Sequence, residues 1–570
     1  MPDTGLPANA NVALRLAEAL ARHGVVTTFG QSLPSAFHLA APHAGISQTV
    51  YRQENMGGAM ADGYARIGRR LGVVTAQNGP AATLLVPPLA EALKASIPVL
   101  ALVQEVTRDS TDRNAFQEFD HFKLFDGVAK FVRRIDRADR VEDYVDMAVT
   151  AALSGRPGPA VLLLPADLLI EKAAAVSRRR ASLGTFPLDR TLADPARIAE
   201  AAALLATAKR PVVIAGGGVH ISGAAEELAA LQQHAHLPVA TTFMGKGSVD
   251  ETHPLSIGVV GNTLGRGARA HTLRPMIAEA DVVLLVGNRT NQNGTDSWTL
   301  YPPGARYIHI DADPTEVGRN YEALRLVGDA KLTLAALREA MTDLSARAAA
   351  RPAVEAQIAE GIAAWRKLVA GVITRDGGPV RPERVATEID KRMPADGIMV
   401  ADASYSSNWI NIYMTAKRAG QRFLSPRGLA GLGWGVPMAI GAQVAAPDQR
   451  VVCLVGDGGF GHSWAELETL RRLKVPVTVV VLNNGILGFQ KHAEDTKFGE
   501  HTDAVDFAEV DHAAIARACG IAGVRVERGE DVGPALDAAF ASGAPTLIEV
   551  MTDPDGKPPL TMYANYPEPF

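Results

Sequence analysis

An aspartate framed by glycines, Gly456-Asp457-Gly458, is followed 24 residues later by Asn483-Asn484. The tripeptide ends the apolar run Val451–Val455 and precedes His462–Leu473, where Trp464, Leu467 and Leu470 recur at helical spacing. A second apolar run, Val477–Leu482, delivers the asparagine pair. Two parallel strands joined by one helix put Asp457 and Asn484 side by side at the carboxyl end of a sheet. A carboxylate and an amide oxygen are hard ligands that suit Mg2+ or Ca2+. The glycines let backbone approach a phosphate, and a helix N-terminus adds positive partial charge. The implied chemistry is a divalent-metal–diphosphate clamp. Gly-Asp-Gly alone is only a turn; the strand–GDG–helix–strand–NN setting makes the signal specific.

The rest of the chain has to position that clamp. Its 570 residues suggest three or four domains at ~150 residues each. Hydrophobic residues are 47% and charged residues 21%, an ordinary globular balance. Lys+Arg 57 against Asp+Glu 62 gives −5 with no long block of one sign, which removes the electrostatic case for nucleic-acid binding. Arg178-Arg179-Arg180 reads as solvated linker. With only Cys453 and Cys519, a disulfide scaffold and a Cys-rich zinc site are excluded, and Cys453 in its apolar run reads as an inert buried thiol. The N-terminus MPDTGLPANA shows no signal-peptide pattern, and no apolar run reaches ~18 residues, so a cytoplasmic protein without membrane spans is expected.

Three segments repeat apolar strand, glycine-rich turn and amphipathic helix, which predicts an α/β class with three Rossmann-like or flavodoxin-like domains built on parallel sheets. The domains are placed at 1–175, 190–345 and 375–555. In the first, helices are expected at Val12–His23 and Glu54–Ile67, and strands at Val26–Gly30, Gln48–Arg52, Gly72–Ala76, Pro98–Val103 and Ala160–Leu164. In the second, strands are expected at Pro211–Ala215, Leu237–Thr242, Asp281–Val286 and Tyr307–Ile310, with a helix at Ala353–Gly371 leading out of it. The third has Gly397–Ala401, Val451–Val455, Val477–Leu482 and Thr546–Val550. The tail from Asp553 is Pro-rich and without periodicity, either a loose end or a cover over a site mouth.

With these residues in view, the GDG…NN stretch resembles the cofactor motif of thiamine-diphosphate (ThDP) enzymes, and the likeness covers nearly the whole chain. Arg52-Gln53-Glu54 with AMADGYAR at 59–66 resembles the segment carrying the activating glutamate. GLAGLGWGVP at 428–437 resembles the loop gripping the aminopyrimidine. AFQEFD at 115–120 and IHIDADPTEVGRN at 308–320 are similar to the acetolactate synthase pattern. The resemblance implies pyrimidine-binding, central and diphosphate-binding domains in that order. It implies Mg2+ held by Asp457, Asn484 and the backbone carbonyl of Ile486. ThDP would be bound by Ser404, Ser406, Gly431, Leu432, Gly433, Gly456, Asp457, Gly458, Gly459, Asn484 and Ile486, with Leu432 as the wedge under the bent cofactor. Glu54 would serve the pyrimidine N1′, and Gln117 would orient an acceptor carbonyl.

Gln31, Ser32, Gln77, Asn78 and Gln490 are candidates for the substrate pocket; His492 and Lys130 are weaker ones. The turn Asn-Gly-Pro-Ala at 78–81 stands where synthases read Ser-Gly-Pro-Gly and has no histidine, which argues against a benzoylformate decarboxylase-like relay. The function implied is a ThDP- and Mg2+-dependent carboligase or lyase acting on 2-oxo acids or 2-hydroxy carbonyl compounds, in a homodimer or homotetramer whose site lies between subunits. Alternatives are a 2-hydroxyacyl-CoA lyase, a 2-oxo acid decarboxylase, a flavin-linked 2-oxo acid oxidase and a non-catalytic regulatory subunit. Gly216–Gly218, Thr242–Lys246, Arg289 and Asp311 fall where acetolactate synthases bind FAD, but GNRTNQNGTDSW at 287–298 departs from the family stretch. FAD is a doubtful second cofactor, and a glycine turn that closes the sheet is the better reading.

Overall fold

Runs of Val, Ile and Leu that are buried on both faces cannot alternate with polar residues, and this is the condition of a parallel sheet covered by helices. The computed structural model, which describes residues 11–173, 177 and 179–563, has three such sheets of six strands. The first contains β1 (Thr27–Gly30), β2 (Ser47–Val50), β3 (Gly72–Ala76), β4 (Val99–Glu105), β5 (Phe131–Arg134) and β6 (Ala160–Pro165). The second contains β7 (Pro211–Ala215), β8 (Val239–Thr241), β9 (Ser256–Val259), β10 (Val282–Val286), β11 (Arg306–Asp311) and β12 (Ala323–Val327). The third contains β13 (Ile398–Ala401), β14 (Phe423–Leu424), β15 (Val451–Gly456), β16 (Thr478–Asn483), β17 (Ala522–Val526) and β18 (Thr546–Met551). Every pairing between these strands is parallel. The expected α/β class with three parallel sheets is what the chain adopts.

The orders are β2-β1-β3-β4-β6-β5, β12-β11-β10-β7-β8-β9 and β14-β13-β15-β16-β18-β17. The first and third sheets therefore share one topology, which reverses direction between β1 and β3 and between β13 and β15. Crevices at the carboxyl ends of such strands are where α/β sheets bind ligands. The middle sheet follows the other common doubly wound order and reverses between β7 and β10.

The described residues form two compact units. One comprises the chain up to Asp189 with Pro426–Asp448 and Ser463–Val475; the other comprises Arg190–Ser425, Gln449–His462 and the chain from Pro476. Two helices of the third segment, Gly435–Ala445 and Glu466–Leu473, thus belong with the first sheet. The reason lies in the helix Glu54–Gly68, whose residues Met56–Arg66 are all buried. It crosses Gly435–Ala445 backbone to backbone: a Cβ on Gly63 would stand 2.2 Å from the Met438 carbonyl oxygen, and one on Gly441 1.9 Å from that of Met60. Buried Asp62 and Arg66 pair at 2.5 Å in this helix, and Arg66 reaches Glu91 at 3.4 Å.

Several expectations need correction. The helix placed at His462–Leu473 begins only at Glu466, and a separate single turn, Asp457–Phe460, precedes it. Gly458, Gly459 and Gly461 are poor helix formers, and the turn at Asp457–Phe460 does not run on into the helix at Glu466. The macrodipole next to Asp457 is thus that of one turn. The helix expected at Ala353–Gly371 runs from Ser345 to Ile373, straight through Pro352. Strands β5, β9, β12, β14 and β17 went unread, and Gln48–Arg52 and Leu237–Thr242 were set too long. Arg179 and Arg180 are exposed and in irregular chain, as a solvated linker should be, although Arg179 also bonds Asp143 at 2.9 Å and Asp146 at 2.8 Å; Arg178 and the N-terminal MPDTGLPANA lie outside the described residues. Cys453 is fully buried, and burial pushes its thiol well up. Among the described residues no helix is long and apolar enough to cross a membrane.

Gly441→Ala tests the helix crossing. Backbone on the facing helix cannot yield as a side chain would, so a loss of about 2 kcal/mol or more is expected. Calorimetry should show a clear fall in melting temperature; a wild-type melt would refute the close approach.

Candidate active site

The β15–β16 pairing sets Gly456 opposite Leu482, so the residues after each strand emerge as neighbours. Asp457 is 8% exposed. Its Oδ2 accepts the N–H of Gly485 at 2.8 Å. Burial pushes its carboxyl up to about 6 despite backbone N–H donors that favour the ionised form. Asn484 Oδ1 accepts the N–H of Ile486 at 3.3 Å. Asn483 turns inward instead and donates to Glu549 Oε1 at 2.7 Å. Leu487 N–H to Val505 O at 2.7 Å and Phe507 N–H to Gly485 O at 2.8 Å hold the turn in place.

After β13, Ser404 adopts φ 63°, ψ −142°, a strained backbone for a residue with a side chain, and it starts the helix Tyr405–Tyr413. Buried Ser406 points its Oγ toward Gly456: a Cβ there would have that oxygen, at 3.9 Å, as its nearest neighbour. The space above Gly456 is therefore open, and a phosphate could reach the backbone. Ser404, Ser406, Gly456, Asp457, Gly458, Gly459, Asn484 and Ile486 come together around the ends of β13, β15 and β16. Among the described residues no group of three or more His, Cys, Asp or Glu is arranged to hold a metal. A cation here would rest on one carboxylate, one amide and one backbone carbonyl, an all-oxygen set that fits Mg2+.

The other calls in this unit separate. Gln490 is exposed and tied to Glu494 at 2.7 Å. His492 is buried; its Nε2 meets the Pro554 carbonyl at 3.1 Å, and its Nδ1 meets Tyr405 Oη at 3.0 Å. Tyr563 Oη lies 2.6 Å from Tyr405 Oη, so the described part of the tail is anchored and not loose.

In the first unit, Glu54 opens its helix and is half-buried. The N–H groups of Arg52 and Gln53 just before it donate to buried Glu466 at 3.0 and 3.3 Å. Asn55 Oδ1 accepts from Trp434 Nε1 at 3.0 Å. Glu91 accepts the N–H groups of Gly428 and Leu429 at 2.7 and 2.6 Å, which fixes the start of the loop bearing Gly431, Leu432 and Gly433. Leu432 is 37% exposed. Gln31 and Ser32 follow β1 and are exposed; Gln77 and Asn78 follow β3 and meet Gln117. Lys130 donates to the carbonyls of Arg156 and Ser154, a structural use. Glu466, Glu91 and Asn55 escaped the sequence reading. An acidic residue within an apolar helical run was the available signal for the first two.

Three family models match this chain: thiamine pyrophosphate enzyme, N-terminal TPP binding domain, over residues 10–124; central domain over 198–337; and C-terminal TPP binding domain over 402–550. The chain is 33% identical over 547 residues to the probable acetolactate synthase large subunit of Methanococcus aeolicus, covering 92% of this chain and 88% of the relative. It is 31% identical to the sulfoacetaldehyde acetyltransferase of Castellaniella defragrans, covering 94% and 92%. It is 29% identical to the acetolactate synthase isozyme 2 large subunit of Escherichia coli (strain K12), covering 95% and 96%. This chain belongs to the thiamine-diphosphate enzymes.

Within that family it is acetolactate synthase-like, and ThDP is its cofactor. The central domain of this ThDP enzyme gives its glycines a structural use. A Cβ on Gly216 would stand 2.3 Å from the Gly287 carbonyl oxygen, and one on Gly218 2.6 Å from the Gly287 Cα. Lys246 is 1% exposed and turned inward, 2.8 Å from Glu251 and 2.7 Å from the Met414 carbonyl, with burial holding its ammonium below the usual range. The glycine motif is thus accounted for by backbone contact.

Asp311, at the end of β11, is pushed up to about 6 by burial and by the nearby carboxylates Glu316 and Asp313, against a bond from the Asp313 N–H and the pull of Arg289. A carboxyl raised in the folded state favours folding fully only below its unfolded value near ~4, and loses that contribution as pH rises through about 6. Asp311→Asn should therefore stabilise the enzyme at pH 7–8, by on the order of 1–2 kcal/mol after solvent screening of a half-buried group. The gain should shrink toward pH 5 in thermal melts; a pH-independent difference would refute it.

Proposed function

We propose that this enzyme is an Mg2+-dependent carboligase that transfers an acyl unit from a 2-oxo acid to a second carbonyl compound. The observation that carries the cofactor half is the buried Asp457 carboxylate bonded to the turn after Asn484. Names among its relatives favour ligation, since acetolactate synthases and sulfoacetaldehyde acetyltransferases recur.

Bound ThDP supplies an electron sink for decarboxylation. The chain's part is to bind, orient and move protons. Asp457, Asn484 and the Ile486 carbonyl would hold Mg2+, and Ser404, Ser406 and Gly456–Gly459 would line the diphosphate. Glu54 would serve the pyrimidine N1′ as the group that holds or gives up its proton, while Glu466 fixes the backbone before it. Gly431 and Gly433 would leave room for the aminopyrimidine, and Leu432 would pack against the cofactor. Gln117 orients the acceptor carbonyl, and Gln31, Ser32 and Gln77 border the substrates; Asn78, buried and bonded to the Gln117 and Phe116 carbonyls, holds that loop instead, and Gln490 is exposed and tied to Glu494.

The domains are taken as 1–175, 190–345 and 375–555. The enzyme works as a cytoplasmic homodimer or homotetramer, with Glu54 of one subunit serving the diphosphate turn of another. Exposed Phe116, Phe119 and Phe122, at 84%, 53% and 45%, support subunit contact around the Gln117 loop. No nucleic-acid or membrane partner is assigned.

The test is a panel of 2-oxo acids, with pyruvate first, offered with a second 2-oxo acid or sulfoacetaldehyde and read by mass spectrometry for ligated, decarboxylated and cleaved products. Ligated product is expected; only simple aldehyde would move the enzyme to the decarboxylases. Glu54→Gln should lower turnover by 10²-fold or more with ThDP affinity largely kept. Asp457→Ala should abolish the Mg2+ dependence of ThDP binding in fluorescence titration, and an unchanged titration would remove Asp457 from the clamp.

A further inference from the structure

A turn after β3 and a loop after β4 are interlocked at four points in the first unit. Buried Asn78 donates from Nδ2 to the carbonyls of Gln117 at 2.9 Å and Phe116 at 3.3 Å. Carbonyls only accept, so the orientation of this amide is fixed. Gly79, at φ 63°, ψ −118°, passes so near that a Cβ there would stand 2.7 Å from the Gln117 carbonyl oxygen. The Gly79 N–H donates to His121 Nε2 at 3.1 Å. That bond settles the tautomer: Nε2 accepts, so Nδ1 carries the proton and donates to Glu105 Oε1 at 3.1 Å. His121 and Glu105 are 2% and 8% exposed, and Arg134 Nε lies 3.0 Å from the other Glu105 oxygen.

Within the single chain, packing does little to fix where this loop sits. A cavity of about 680 Å³ lined by Glu105, Thr111, Glu118, His121 and Arg134 lies against it. Phe116 and Phe119 on it are exposed. Yet Gln117 is held at φ 61°, a left-handed backbone that a side chain disfavours by roughly 1–3 kcal/mol. Such a residue persists only where its surroundings over-determine it. Here they do so with hydrogen bonds, and Gln77 Nε2 lies 2.5 Å from Gln117 Oε1 as a last contact on the side chain itself.

We propose that Asn78, Gly79, His121 and Glu105 are a positioning clamp that holds Gln117 in the orientation it needs toward the acceptor carbonyl. The inference rests on the reading of Gln117 as a pocket residue. None of the four clamp residues need touch substrate; each acts through the Gln117 backbone. Glu105 serves at two removes, by keeping the His121 proton on Nδ1 and leaving Nε2 bare for Gly79.

The experiment is a double-mutant cycle on the holoenzyme with ThDP, Mg2+ and pyruvate. Asn78→Asp keeps the shape but removes both N–H donors. Asn78→Asp and His121→Leu should each raise KM, or shift product from ligated to simply decarboxylated, by about tenfold with ThDP affinity unchanged. His121→Gln should recover much of the loss, since its amide can accept from Gly79 and donate to Glu105. In a Gln117→Ala background, Asn78→Asp should cost nothing further. Additive losses, or an unchanged product ratio in both single variants, would overturn the clamp. Asn78→Ala replaces Asn78→Asp in the cycle if the latter does not fold. Should the wild type release no carbon dioxide from pyruvate or any other 2-oxo acid, the functional reading fails on its own. The clamp is then judged by 15N NMR of labelled histidines: a signal with a protonated Nδ1 and bare Nε2 that vanishes in His121→Gln supports it, and a protonated Nε2 overturns it.

Discussion

Two parallel strands with buried, β-branched residues leave a carboxylate and an amide at the carboxyl end of one sheet, and the clamp proposed for the cofactor depends on that juxtaposition. Asp457 sits where water is largely excluded, and an ionised carboxylate there is unfavourable without partners. Backbone N–H groups from the turn after β16 supply part of the compensation. The rest is open to a cation, which turns an electrostatic penalty into affinity. The turn is itself pinned by pairing with 505–507, so the acid meets donors already in place.

The same device recurs away from the metal turn. Glu466 takes the two N–H groups before Glu54, Glu91 takes those that open the pyrimidine loop, and Glu549 takes His512 and Ala513 along with Asn483. Burial pushes the carboxyls of Glu466 and Glu91 up, but bonds from backbone N–H groups oppose it in both. A carboxylate accepting such bonds is a stronger tie than a neutral pair. It is also rigid, because moving the loop would strand the charge. Several loops of the chain are thus held by buried acids bonded to their backbone N–H groups.

This division explains what the sequence reading could and could not reach. Interior strands such as Val282–Val286 and Val479–Val481 are unbroken apolar runs and were legible. The five strands that escaped, β5, β9, β12, β14 and β17, are all sheet edges. An edge strand is short or exposed on one side, so Phe131–Arg134 and Ala522–Val526 carry arginines and lose the pattern. Asp457 and Asn484 were legible because their spacing reports a strand–helix–strand unit. Glu466, Glu91 and Glu105 were not, since each acts on residues far along the chain. Nothing in the sequence marks His121, whose use depends on the Gly79 N–H that reaches its Nε2.

The shared order of the first and third sheets gives the two halves of the site a common logic. In both, chemistry-bearing residues follow the strands that flank the reversal: Gln31, Ser32, Gln77 and Asn78 after β1 and β3, and Ser404, Ser406 and Asp457 after β13 and β15. One topology thus supplies two crevices. The third sheet fills its crevice with glycines and one acid, suited to phosphate and metal. The first fills its own with amides and a carboxylate at a helix start, suited to a neutral ring and a carbonyl. The middle sheet, with the other order, fills its reversal point with its own backbone, Gly216 and Gly218 against Gly287. The fold offers three such crevices, and the side chains at the strand ends decide which of them does chemistry.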